Sequence, residues 1–184
     1  CLLAHWGIAY SHSPNYNFYN DVGYYSMSSN DTDGAFPSQK EANKALCEAV
    51  ALMKDCGHKK YQDVECALVN ALRIRFSTWP PSPYAEKLEF AYRDAMVEVA
   101  TAFPNDPDVV CARADASMVL KPWKLWDLKF GEPTKEAKEL QPILENALKK
   151  WPDHAGLCHL YIHLMEMSPF PEKCTGACNV LRNL

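Results

Sequence analysis

Phe103-Pro104-Asn105-Asp106-Pro107-Asp108-Val109-Val110-Cys111-Ala112 and Trp151-Pro152-Asp153-His154-Ala155-Gly156-Leu157-Cys158-His159 repeat one message. In each, an aromatic residue and a proline close a helix, polar residues turn the chain, and a new helix carrying a cysteine begins. Pro104 and Pro152 stand 48 residues apart. A helix–turn–helix repeat of about 34 residues plus a loop of about 14 accounts for that spacing, and residues 121–132 supply the loop.

Working outward, helical periodicity dominates. A first helix over 1–11 places Leu3, Trp6, Gly7 and Tyr10 on one face. A segment rich in aromatic and polar residues follows, with Tyr16, Phe18, Tyr19, Tyr24 and Tyr25. Ser38 with Glu41 reads as a capping box, opening a helix with Ala42, Leu46, Ala49 and Met53 on one stripe and Gly57 as its stop. The third helix, over 60–76, turns Val64, Ala67, Leu68, Ala71 and Leu72 inward, and Trp79-Pro80-Pro81-Ser82-Pro83 breaks it. Further helices are expected over 84–103, 107–119, 133–151, 154–167 and 171–183. Trp123 and Trp126 read as aromatics that pin a loop. No run alternates as a strand would, so the fold class is all-α.

Trp6-Gly7-x-Ala9-Tyr10, Ala42-x3-Leu46-x2-Ala49 and Ala147 followed by Pro152 together resemble the tetratricopeptide repeat. Val99 with Pro104 fits that pattern less well. Ala4-His5-Trp6-Gly7-Ile8-Ala9-Tyr10 with Pro14-Asn15-Tyr16-Asn17, and Tyr161-Ile162-His163 through Glu166-Met167-Ser168-Pro169, further resemble a branch of that family which brings no established activity with it. The resemblance implies antiparallel helix hairpins stacked as a short α-solenoid with long inserts. The pairs fall at about 1–57, 58–104, 105–152 and 153–184, in a single domain read as a fragment of a longer chain. An irregular α bundle is the alternative.

Composition narrows the function classes. The 184 residues are 48% hydrophobic and 11% aromatic, enough for a core. Nineteen Lys and Arg against 23 Asp and Glu leave a net charge of −4, which argues against a nucleic-acid surface. No apolar run is long enough to span a bilayer. Eight cysteines are many for a cytosolic protein, and Asn30-Asp31-Thr32 is an N-glycosylation acceptor. Together they lead us to expect disulfides, a glycan on Asn30 and a secreted protein, with a cytoplasmic one as the alternative. An even cysteine count leaves the pairing open.

If the hairpins stack, matching residues of successive first helices form rows along a concave wall. One row holds Ile8, Asn70, Asp115 and His163; the next Ala4, Cys66, Cys111 and His159; a third Ser11, Arg73, Met118 and Glu166. The polar members, Asn70, Arg73, Asp115, His159, His163 and Glu166, are the expected contacts for a partner protein, a peptide or another copy of the chain. Arg73 is the row's only cation, too few to clamp a C-terminal carboxylate.

His159 and His163 are i,i+4 with Glu166 three further on, a spacing that suits zinc or copper, with Asp115 or Cys111 completing the shell. Packed histidines hydrogen-bonded to neighbours, and a pH-responsive contact, are the competing readings. No cofactor is required by any other motif. Phosphate-loop and Gly-x-Ser-x-Gly signatures are absent, and Cys111 with His159 is a weak nucleophile pair. The expected function is therefore a non-catalytic interaction or assembly protein, and a metal-dependent enzyme or metal carrier is the runner-up.

Overall fold

The computed structural model describes residues 1–17, 37–56, 63–77 and 85–184. It is all-α: among the described residues there are helices and no strand, apart from one isolated bridge between Trp126 and Pro133. No described helix is long and apolar enough to cross a membrane. The contacts divide the chain into two compact units, 1–101 and 102–184.

In the first unit α1 (Leu2–Ser11) packs on α2 (Pro37–Cys56) and α3 (Asp63–Arg75). The expected stripe of α2 is the buried one: Ala42, Leu46, Ala49 and Met53 all face the core. The face of α1 is rotated from expectation. Leu2 and Ala9 are fully buried, Leu3 is exposed, and Trp6 stacks on Tyr10 at a centroid distance of 4.8 Å. A small residue at position 9 lets α1 approach its neighbours where a ring could not. The first turn of α2 begins at Pro37, so Ser38 is already helical and is not the cap; proline suits a first helical position because its missing N–H has no partner there anyway. Gly57, Trp79 and Pro80 lie outside the described residues, as do Phe18, Tyr19, Tyr24, Tyr25 and Asn30.

The stripe of α3 continues past Leu68, Ala71 and Leu72 to Arg75, whose side chain is 1% exposed. It meets Glu89 of α4 (Ala85–Ala102). Arg75 Nε donates to both carboxylate oxygens at 2.9 Å, Nη2 donates to Oε2, and the guanidinium lies 4.4 Å from the Tyr92 ring centroid. Two buried charges satisfy each other and bind α3 to α4.

In the second unit α5 (Pro107–Met118) packs on α6 (Lys135–Lys150) and α7 (Ala155–Met165), α6 packs on α7, and α7 packs on a 3₁₀ turn (Pro171–Cys174) and α8 (Thr175–Arg182). α5 is covered nearly all round, which its Ala112, Ala114, Ala116 and Ser117 permit. The 48-residue periodicity has a structural counterpart at the caps. Asp106 caps α5 by accepting from the Asp108 and Val109 amides, and His154 caps α7 by accepting from the Leu157 amide through Nδ1. His154 Nε2 in turn donates to Asp108 Oδ1 at 3.1 Å, a pairing that selects the Nε2-protonated tautomer. Gly156 lets α7 approach α5 closely: a Cβ there would stand 2.7 Å from Cys111 Sγ, and something would have to shift.

α6 starts after Thr134, whose hydroxyl accepts from the Ala137 amide, and it carries Pro142 on its exposed face. Trp126 is an anchor as expected: it is buried, and its indole Nε1 donates to the Leu164 carbonyl at 2.6 Å. Trp123 is not. It is 46% exposed, with a φ of 59°.

The disulfide expectation also needs correction. The seven described cysteines are all free; Cys66, Cys158 and Cys174 are buried as small apolar residues. Cys174 donates to the Pro171 carbonyl at 3.0 Å, and burial followed by its neighbour Cys178 pushes its thiol up. The side chain of Cys56 lies outside the described residues.

Candidate functional site

Three of the expected contact residues come together on one surface of α7. His159 and His163, one turn apart, meet edge to face with ring centroids 4.5 Å apart. His163 Nδ1 donates to Glu166 Oε1 at 2.7 Å, with His163 13% and Glu166 33% exposed. The i,i+4 and i,i+3 spacings impose this neighbourhood on any helix.

A fourth member comes from the loop after α5. The Trp123 ring stands edge-on to His163 at 5.9 Å. Sequence reasoning read this tryptophan as an anchor that pins its loop, and no local signal marks it as exposed. A bulky residue in left-handed backbone is uncommon and persists only where its surroundings hold it. Those surroundings are evident on both flanks: the Lys121 amide bonds to Met118 O, the Lys124 amide to Lys121 O, and Trp126 ties the loop to α7. The loop therefore holds a half-exposed aromatic ring, in strained backbone, beside the His163 imidazole.

Electrostatics distinguish the two histidines. His159 reaches solvent, yet its pKa lies below the ordinary 6.5, chiefly through desolvation, then through His163, with Glu166 acting in the opposite sense. The fold thus prefers neutral His159. Its contribution to stability is present above pH 6.5 and is lost as pH falls through the folded-state pKa. His159→Gln is expected to flatten the fall in stability between pH 7.5 and 5, measured by urea unfolding. Equal pH slopes for the two proteins would refute this assignment.

The remaining expected residues lie elsewhere. Asp115 is buried on α5. Asn70 is exposed on α3, and exposed Arg73 lines a cleft of about 520 Å³ in the first unit with Lys54, Leu46 and Phe76. Among the described residues no group of three or more His, Cys, Asp or Glu is arranged to hold a metal ion. Cys111 is unsuited to nucleophilic work: burial first, then Asp115 and Asp108, push its thiol up to about 12, so it stays protonated at neutral pH.

The chain was compared with protein-family models, with curated proteins and with solved structures, and nothing matches.

Proposed function

We propose that this protein is a helical-repeat interaction module that binds a segment of a partner protein, or of a neighbouring copy, on the surface formed by Trp123, His159, His163 and Glu166. The observation that carries this reading is Trp123, held out in strained backbone against His163. Exposed tryptophan beside a few fixed polar groups is the composition of a binding hot spot. The packing order within the second unit, α5 on α6, α6 on α7 and α5 on α7, supports the stacked-hairpin reading, as do the caps 48 residues apart. An extracellular setting, with a glycan on Asn30, belongs to the same proposal and rests on the acceptor sequence.

Peptides selected from a random displayed library on the intact chain supply the test. Binders are expected to weaken at least about tenfold on Trp123→Ala or His163→Ala, a typical hot-spot loss, while both variants keep the parent melting temperature within a few degrees. Binders indifferent to both substitutions would remove the proposal.

The paired imidazoles favour one second reading, a divalent zinc or copper ion. Glu166 on His163 Nδ1 would then orient the ring and leave Nε2 as the ligand atom, a supporting role for the carboxylate rather than a ligand's. Metal analysis of the purified chain, repeated on His159→Ala/His163→Ala, tests it. Equal metal content in both would exclude this site.

A further inference from the structure

A second stripe of α7, through Cys158 and Tyr161, faces away from the histidine pair and forms one wall of a cleft of about 460 Å³ between α6, α7 and α8. That volume is within the range of small-molecule sites. Leu148, Pro152, Ala177 and Val180 make its walls apolar. Its mouth stays open at Gly176, where an added Cβ would meet nothing within 4 Å.

Glu145 is the carboxylate among the cleft's lining residues, beside the Tyr161 phenol and two rim lysines, Lys149 and Lys173. Glu145 Oε1 accepts from Gln141 Nε2 at 2.9 Å and from the Tyr161 hydroxyl at 3.2 Å. Both donors converge on the same oxygen, and Oε2 has no hydrogen bond among the described residues. Burial, with Glu145 beside it, raises the Tyr161 phenol to about 12, so it remains a donor to the carboxylate at every physiological pH. The two lysines at the rim are turned to other partners. Lys149 Nζ donates to Asn146 Oδ1 at 3.3 Å, and Lys173 Nζ lies 5.4 Å from the Phe170 ring centroid.

We infer that this cleft binds a small protonated amine with an apolar body, the ammonium on Glu145 Oε2 and the hydrocarbon against Leu148, Ala177 and Val180. A half-buried carboxylate whose Oε2 makes no hydrogen bond among the described residues selects a cationic donor over an alcohol by charge, and over a carboxylate by repulsion. The site is independent of Trp123 and the histidines.

Three eight-carbon probes test the inference on the intact chain by calorimetry and saturation-transfer NMR: n-octylamine, n-octanol and octanoate. Octylamine is expected to bind saturably, octanol about tenfold more weakly, and octanoate weakest. Glu145→Gln should bring the amine down to the level of the alcohol. Gly176→Leu, which adds a bulky side chain at the mouth where a Cβ meets nothing within 4 Å, should abolish binding of both while far-UV circular dichroism stays unchanged. Trp123→Ala should leave octylamine binding intact, which separates this site from the partner surface. Octanoate binding as tightly as octylamine, amine binding unchanged in Glu145→Gln or Gly176→Leu, or no saturable amine binding would each overturn the inference.

Discussion

Glu89→Ala is expected to lower the unfolding free energy by about 3–5 kcal/mol, the usual consequence of stranding one partner of a buried ion pair. Arg75 and Glu89 have side chains only 1% and 2% exposed, so removing the carboxylate leaves the guanidinium in a site remote from bulk water. Tyr92 beneath the guanidinium offers a ring face, which attracts a cation far less than an ionised carboxylate does. Replacing the pair together, Arg75→Met with Glu89→Leu, should recover most of the loss, because two well-packed apolar side chains need no counter-charge. Urea unfolding of the two variants separates these outcomes. A loss below about 1 kcal/mol for Glu89→Ala would mean that the pair is solvated in solution and contributes only as a surface pair would.

Trp126→Ala should be comparably severe, at about 3–5 kcal/mol. The ring is buried in the second unit, and its N–H fills a role that the helix itself cannot fill. Leu164 is in the last turn of α7, where carbonyls have no partner within the helix. Glu166 N satisfies Ile162 O and Ser168 N satisfies Met165 O; Leu164 O is served by the indole. Trp126→Phe keeps the apolar ring and removes the donor, with an expected loss of about 1–3 kcal/mol. Because Trp126 also holds the loop that carries Trp123, both variants should weaken selected peptides, by no more than Trp123→Ala does. A melting temperature unchanged in Trp126→Ala would show that the loop is not docked on α7.

The helices were legible because their signals are local. Buried positions at intervals of three and four mark α2 and α3, and prolines mark the ends of α4 and α6. Arg75 was missed: it falls three and four residues after Leu72 and Ala71 on the inward stripe, a place where a charge requires a partner, but the expected stripe stopped at Leu72 and the sequence does not say that the partner is Glu89. His159, His163 and Glu166 came together because one helix carries all three. Trp123 was misread, since Trp123 and Trp126 have nearly the same local context and differ only in what α7 offers each of them.

The cap at His154 shows the same division. The 48-residue repetition pointed to a helix start there, yet histidine is not a favoured cap residue. It serves because Asp108 on a neighbouring helix accepts from Nε2 and leaves Nδ1 free to receive the Leu157 amide. Hydrophobic period and helix breakers act within a few residues of chain, so the sequence by itself determined an all-helical fold with a recurring junction. Partners for Arg75, Trp126, His154 and Glu145 are brought in from 14, 38, 46 and 16 residues away. Only the packed structure could decide them, because burial and hydrogen-bond geometry depend on where a distant segment comes to rest.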